Sequence, residues 1–353
     1  MVPAMKKIIS LFLLISLCSI GHAQTIRGSV LDLNSHKPVA NAIVYINGTF
    51  VGTYTDRDGV FELKIPGNLS GPLTVSSIGY FSVDINNINS GMKLLVYLNP
   101  KVYQLKEVVI TAKKGSRARR TNMAAFKKEF LGSSMNAMNC NIENENDIAL
   151  YHVTGTDTIK FGSSGTMIIT KIDTLKAYSF NPIIINNKAL GYKIAYYLDE
   201  FEYCFNNNYL YIQGNCIFKE DSLVGNIRQK SIERRRKSAY LGSRMHFLRA
   251  LWNNELDSAG FTVRDSVNRI LTYDRIVGQS EALPGSEHLK YFNYRGIMSI
   301  AYYSKTPRTL LTIEKDNVYF DNDQILVPKG ISWAGDMARQ RMGDLLPSEY
   351  NIR

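Results

Sequence analysis

The chain has 353 residues, 45% of them hydrophobic and 11% aromatic, and a formal net charge of +11. That length supplies about two domains, and the composition is that of a globular protein rather than a low-complexity one. Past residue 23 no apolar run reaches the ~20 residues that a membrane helix needs, which excludes a transmembrane helix.

Lys6 and Lys7 precede an apolar run from Ile8 to Ile20, and Gly21-His22-Ala23 follows. A basic start, a short apolar segment and small residues at the −3 and −1 positions predict a secretory signal peptide over residues 1–23, with Gln24 first in the mature chain. Cys18 raises a lipoprotein alternative, although Leu17 stands where a lipidation site takes a small residue. Met5 offers a second start. An exported protein is expected.

Residues 24–112 contain six or seven short runs that alternate apolar and polar residues, each ending at Gly, Pro, Asn or Asp. Period-2 alternation buries one face of each strand, and closely spaced turns predict a small antiparallel β-sandwich. Within it, Asp56-Arg57-Asp58-Gly59 has the start of a calcium loop but lacks the third ligand and the distal Glu. It reads as a hairpin turn in which Asp caps and Gly takes positive φ.

Four motifs follow in order: G28-S-V30-L-D32, P38-V-A-N-A42-I-V44, T55-D-R-D-G59-V-F61 and V75-S-S-I-G-Y80. Their sequence resembles the carboxypeptidase-like regulatory domain, a prealbumin-like β-sandwich of gram-negative cell-envelope proteins. It is similar in particular to the version that precedes TonB-dependent receptors, where an L-x-E-V-V-V-T segment follows; here L105-K-E-V-V-I-T111 stands in that place. The resemblance implies a non-catalytic accessory domain and no peptidase activity.

Residues 113–121 form a basic stretch with Gly115 and Ser116, read as a linker to an α+β domain at 122–353. A helix is predicted over Asn122–Leu131 from the spacing of Met123, Phe126, Phe130 and Leu131, with Gly132 as its stop. Strands are predicted at Thr166–Ile172, Ile183–Asn186, Tyr192–Leu198 and Tyr209–Phe218. Gly162-Ser163-Ser164-Gly165 lacks the Lys of a phosphate loop and reads as a turn. A helix is expected at Ser243–Ser258, then strands at Ile297–Tyr303, Leu310–Lys315 and Val318–Phe320, and a short helix at Trp333–Leu345. The fold class is mainly β with α+β character: the prealbumin-like sandwich plus an α+β domain on an antiparallel sheet. F126-K-K-E-F-L-G132, N181-P-I-I-I-N186 with L190-G-Y192, A239–L251 and L345-L-P-S-E-Y350 are similar to the partner region of short, barrel-less members of the same envelope group. The residues after Ala112 cannot supply the ~22 strands and plug of a transporter barrel. A small barrel fits by length, but the charged amphipathic helices and the Arg at the C-terminus speak against it.

Of the cysteines left after export, Cys204 and Cys216 flank the turn Asn206-Asn207-Asn208. That register places Cys204 opposite about residue 210 and Cys216 opposite about residue 198, too far apart to bridge. Buried thiols are expected at both and at Cys140. None of His36, His152, His246 and His288 opens a zinc motif, so no metal and no cofactor are expected.

The positive excess gathers in Lys113–Arg120 and in Arg228–Lys237. Such clusters attract nucleic acid or anionic head groups, and export argues against nucleic acid. On the predicted helix, Ser243, His246, Arg249 and Asn253 lie at i, i+3, i+6 and i+10, opposite the Met245, Leu248 and Trp252 stripe. Together with Tyr240 and Arg234, Arg235 and Arg236 they form the candidate partner-binding surface. A plainly solvated face is the competing reading. The expected function is that of an exported, non-catalytic envelope protein whose sandwich is an interaction module and whose second domain binds an envelope protein or glycan, with peripheral association at the outer membrane. An accessory role in TonB-dependent uptake and an envelope hydrolase are the alternatives.

Overall fold

In the computed structural model the described residues are 24–66, 71–86, 91–101, 116–161, 166–221, 226–279, 290–304, 308–316, 318–322, 325 and 330–352. The predicted signal peptide, the segment Leu105–Ala112, Lys113–Gly115 and the turn Gly162–Gly165 lie outside them.

The N-terminal part is a two-sheet sandwich. One sheet has β1 (Gln24–Asp32) between β4 (Val60–Ile65) and β7 (Lys93–Leu98); the other runs β3 (Gly52–Tyr54), β2 (Ile43–Ile46), β5 (Leu73–Ser76), β6 (Val83–Ile85). All pairs are antiparallel except β1 with β7, which are parallel. β4 and β7 alternate as predicted, sending Phe61, Leu63 and Ile65, and Leu94, Val96 and Leu98, into one core with Ile26 and Val30. The motifs explain themselves locally. A Cβ on Gly28 would lie 2.5 Å from the Leu94 carbonyl oxygen, so only glycine lets β1 and β7 meet there. Asp32 Oδ1 accepts the amides of Asn34 and Ser35, and its Oδ2 accepts the Tyr80 hydroxyl at 2.9 Å, joining two motifs far apart in sequence. The Ser35 amide and then the Tyr80 hydroxyl hold the Asp32 carboxyl down to about 2.

Asp56–Gly59 is a turn, with Asp56 Oδ1 accepting the amides of Asp58 and Val60 and Gly59 at φ 72°. It is not a hairpin turn, because β3 and β4 belong to different sheets; the turn is a corner of the sandwich.

Beyond the sandwich, α1 (Arg117–Leu131) begins earlier than predicted, inside the expected linker, because the Ser116 hydroxyl caps it by accepting the Arg119 amide. Its Phe126 and Phe130 lie on a six-stranded sheet: β8 (Cys140–Ile142), β9 (Ile148–Phe161), β10 (Thr166–Ser179), β11 (Ile183–Asn187), β12 (Tyr192–Cys204) and β13 (Tyr209–Glu220). Phe126 meets Phe201 at 4.8 Å and Phe130 meets Tyr196 at 5.2 Å between ring centroids. In the β12–β13 hairpin Cys204 pairs with Tyr209 and Cys216 with Tyr196, so the two thiols stay apart. Cys204 and Cys216 are buried and Cys140 is half-buried; burial pushes the thiols of Cys140 and Cys216 up to about 12.

Two helices follow, α2 (Asn226–Tyr240) and α3 (Arg244–Trp252). A second core then forms under α3, around Phe247, Leu248, Leu251, Phe261, Met298 and Leu311. Its main sheet runs β14 (Phe261–Arg264), β17 (Gly296–Tyr302), β18 (Thr309–Ile313), β20 (Ile331–Gly335). A smaller sheet has β15 (Val277–Gln279), reached through the single turn α4 (Tyr273–Ile276), with β16 (Lys290–Phe292) and β19 (Tyr319–Phe320). The region read as one α+β domain thus carries two cores and several antiparallel sheets. Trp333 sits in β20 rather than in a helix, paired with Leu311; beyond it Asp336–Arg339 (α5) is helical and Met342–Asp344 forms a single 3-10 turn. Helix α3 also stops at Trp252, short of the predicted Ser258.

The sandwich is locked onto the six-stranded sheet. The loop Asn47–Phe50 lies along β13: the Gly48 amide donates to the Cys216 carbonyl at 2.8 Å and the Phe218 amide to the Thr49 carbonyl at 2.9 Å. The β2 residues Ile43 and Tyr45, on the face away from the sandwich core, are buried as well, and Tyr45 stacks on Tyr197 with ring centroids 5.8 Å apart. Lys101 donates to the Leu198 carbonyl at 3.1 Å and stands 3.6 Å from Asp199, a residue that the β12 bulge leaves unpaired.

Candidate functional site

Much of the predicted face of α3 is taken up by contacts within the chain. Ser243 is the buried N-cap, its hydroxyl accepting the His246 amide at 3.0 Å. The His246 ring packs against Tyr240, Phe261 and Tyr302, and its Nδ1 accepts the Gly242 amide at 3.1 Å. Burial, then the nearby Arg249, lowers its pKa. Arg249 grips the C-terminal tail, its Nη1 donating to the Tyr350 carbonyl at 2.6 Å and Nη2 to the Ser348 carbonyl at 2.7 Å. Tyr240 is buried against Tyr350. Asn253 is exposed at the α3 C-cap, and Arg234 and Arg235 are exposed on α2. The expected outward face is therefore covered. The tail returns over it, β17 supplies Tyr302 beside it, and α3 touches both cores, Met245 packing on the first and Leu248 on the second.

Arg236, of the predicted set, lines a cleft. A cleft of about 780 Å³ opens where the sandwich loop, the β12–β13 sheet, α2 and the tail meet. Phe50, Tyr192, Phe218 and Tyr350 supply its aromatic wall, and Lys219, Glu220, Glu233, Arg236 and Glu349 its charges. Arg236 Nε donates to the Leu190 carbonyl at 2.9 Å, and Nη1 stands 3.0 Å from Glu233 and 3.5 Å from Glu220. The guanidinium carbon lies 4.0 Å from the centre of the Tyr192 ring. Burial drives the Tyr192 phenol well above its ordinary range. Phe218 meets Tyr192 and Phe50 edge-on, at 5.6 and 6.1 Å. Across the cleft Glu349 Oε1 accepts the Phe50 amide at 2.8 Å, and the Gly48 carbonyl accepts the Ser348 amide, also at 2.8 Å. The tail thus closes one end.

Sequence reasoning pointed at Arg236 through its charge run and missed the rest. The signals were present as L190-G-Y192, S348-E-Y350 and the i,i+3 pair Glu233–Arg236, but they come from distant segments. Among the described residues lining the cleft there is no histidine, cysteine, serine or threonine. The His152–Asp173 pair lies elsewhere, and the ring's Nε2 faces the Asn122 amide oxygen at 3.1 Å rather than a hydroxyl or thiol. Among the described residues no cluster of three or more His, Cys, Asp and Glu forms that would hold a metal, and no helix is long and apolar enough to cross a membrane.

The sandwich strands and motif geometry now meet a family. Residues 26–110 match the CarboxypepD_reg-like domain. The match covers the sandwich and leaves the sheet, helices and cleft floor of the rest unassigned. No curated protein sequence matches the chain. Three solved structures give low similarity. A protein of unknown function from Bacteroides fragilis NCTC 9343, provisionally described as membrane-associated, is 12% identical over 50% of this chain and 64% of its own, with a TM-score of 0.17. The 9R-lipoxygenase of Cyanothece PCC8801 is 11% identical over 67% and 48%, also at 0.17. The TIE protein of Bacillus anthracis is 9% identical over 86% and 47%, at 0.16. The chain spans less than two thirds of each, and at these scores none bears on the fold or role. The CarboxypepD_reg-like domain therefore identifies the module that contributes Phe50 to the cleft, and nothing beyond it.

Proposed function

We propose that this is an exported, non-catalytic protein of the cell envelope, held in the periplasm or at the outer-membrane surface, that binds an envelope glycan in the cleft between its CarboxypepD_reg-like domain and the rest of the chain. One observation carries the reading: the cleft joins an aromatic wall to an Arg236, Glu220 and Glu233 cluster, with no histidine, cysteine, serine or threonine among the described residues on its lining. Concave, largely aromatic sites with a few fixed polar groups are where ligands bind. Glu220 and Glu233 stand beside Arg236 and keep lone pairs that can accept hydrogen bonds from a ligand. The signal-like N-terminus supports the location. The L105–T111 segment favours a second reading, an accessory role beside a TonB-dependent receptor.

The test uses the full-length protein and washed, protease-stripped envelopes of a gram-negative bacterium. The wild type sediments with them, Phe50→Ala reduces retention at least about fivefold, and no reducing ends, amines or phosphate are released. Retention that ignores Phe50→Ala sinks the cleft as the site; product release that Glu220→Gln abolishes makes the protein a hydrolase.

A further inference from the structure

We propose that the side of the protein formed by α1 and α2 is a docking face for an anionic lipid bilayer. The chain has 42 Lys and Arg and 31 Asp and Glu, and α1 and α2 hold 11 of the former and 2 of the latter. With Lys6 and Lys7 of the predicted signal peptide set aside, the rest of the chain carries 29 basic and 29 acidic residues. The net charge past residue 23 therefore resides on two helices. They share one side of the six-stranded sheet: Phe126 and Phe130 of α1 lie on Phe201 and Tyr196, and Arg236 of α2 lies on Tyr192. The tail ties them together at their C-terminal ends, Gln340 Nε2 donating to the Ala239 carbonyl at 3.3 Å and Arg341 Nε to the Glu129 carbonyl at 3.2 Å. Their outer faces thus point the same way. They carry Arg117, Arg120 and Lys128 on α1 and Lys230, Arg234 and Lys237 on α2, all exposed and none on the cleft lining.

Positive charge confined to one side orients the whole molecule toward an anionic plane, and the attraction of each Lys or Arg decays over a Debye length of about 8 Å. Each helix is about 22 Å long, so the pair makes an extended patch and not a pocket. The aromatic residues of the two helices, Phe126, Phe130 and Tyr240, are buried, which leaves none to stack a nucleic-acid base. Met135 and Met138, 75% and 71% exposed, follow α1 in the turn whose Ala137 packs into the same core. Apolar side chains beside cations enter a lipid interface and gain nothing from a hydrated polyanion. Tyr45 of the sandwich stacks on Tyr197, whose side chain leaves β12 on the face opposite Tyr196. Docking by the helices therefore keeps the CarboxypepD_reg-like domain on the far side of the sheet, away from the bilayer.

Co-sedimentation of the full-length protein with vesicles tests the assignment. The protein binds phosphatidylcholine vesicles that contain about 30% phosphatidylglycerol, stays in the supernatant with pure phosphatidylcholine, and is released by about 0.5 M salt. The triple variant Lys230→Gln, Arg234→Gln, Lys237→Gln binds about tenfold or more weakly, and Arg117→Gln with Lys128→Gln about fivefold, both at the wild-type melting temperature. Lys37→Gln, Lys64→Gln, Lys93→Gln, which removes as much charge from exposed positions of the sandwich, changes binding less than about twofold. Met135→Ser with Met138→Ser weakens vesicle binding about threefold and leaves retention on duplex DNA unchanged. Equal binding to neutral vesicles, as large a loss in the sandwich variant, a methionine variant that binds like wild type, or duplex DNA bound more tightly than vesicles at about 0.15 M salt overturns the proposal. Envelope retention that depends on Phe50 is read at about 0.5 M salt, where the bilayer contact is screened, so the cleft and this face fail separately.

Discussion

The Arg236 guanidinium lies 4.0 Å from the centre of the Tyr192 ring and is held there by the Leu190 carbonyl. A planar cation stacked on an aromatic face, with its N–H groups committed to a carbonyl and two carboxylates, is a fixed wall and not a mobile probe. It makes the cleft a preformed shape, and several consequences are measurable.

Removing Arg236 takes a buried side chain off Tyr192 and leaves the Leu190 carbonyl without that donor, while Glu220 and Glu233, 64% and 44% exposed, stay in water. Arg236→Ala is expected to cost about 1–3 kcal/mol, and Arg236→Lys, which keeps charge but loses the planar fork, about 1 kcal/mol. Chemical denaturation of the three proteins checks this; a lysine variant as stable as wild type would show that stacking and fork geometry contribute nothing.

Tyr45 points away from the sandwich core and stacks on Tyr197 of the six-stranded sheet. In the full chain Tyr45→Ala should cost about 3 kcal/mol, the range for losing a buried aromatic. In the isolated fragment 24–112 the same change should cost under about 0.5 kcal/mol, because the ring is then on the surface. Equal losses in both would mean that Tyr45 serves the sandwich's own core.

Much of this arrangement could be read in advance, and the boundary is physical. β4 and β7 announce themselves because a half-buried strand writes its environment into every second residue. Met123, Phe126 and Phe130 announce α1 in the same way. The environment of α3 was illegible because its second covering is the tail at Ser348–Tyr350, about a hundred residues on. His246 and Arg249 are polar residues facing protein, a case that periodicity assigns to water. Trp333 read as helical from its local pattern and became strand because β18 had an edge to fill. The cleft itself was invisible, since Phe50, Phe218, Arg236 and Tyr350 share no stretch of sequence.

Burial lowers the His246 pKa, so the folded state resists a proton that the unfolded chain accepts at about 6.5. The stability this neutral ring contributes is complete above about pH 6.5 and is lost as pH falls from there towards the lowered value. Melting temperatures followed from pH 7 to pH 5 should drop, and His246→Gln should flatten that slope. An unchanged slope would place the acid sensitivity elsewhere.

Lys101 and Asp199 form a buried pair between the CarboxypepD_reg-like domain and the sheet; burial lowers the lysine pKa and raises that of the aspartate. A carboxyl raised above its unfolded value of about 3.9 gives stability at low pH that is lost as pH rises through the folded value. Lys101→Met removes the charge that opposes this rise. The variant's deficit against wild type should be large at about pH 8 and shrink on acidification to about pH 5. A deficit constant across that range would mean that Asp199 is solvated in the variant and pays no burial cost.

The central claim is that a ligand occupies the cleft formed by the sandwich loop, β13, α2 and the tail. Backbone hydrogen exchange, read with and without a saturating saccharide fraction eluted from envelopes that retain the protein, tests it most directly. The account predicts new protection at residues 48–50, 218–220, 229–236 and 347–351, and none at the outer strands β1, β4 and β7. Protection confined to those strands, or no change at the cleft segments while the ligand is bound, would contradict it.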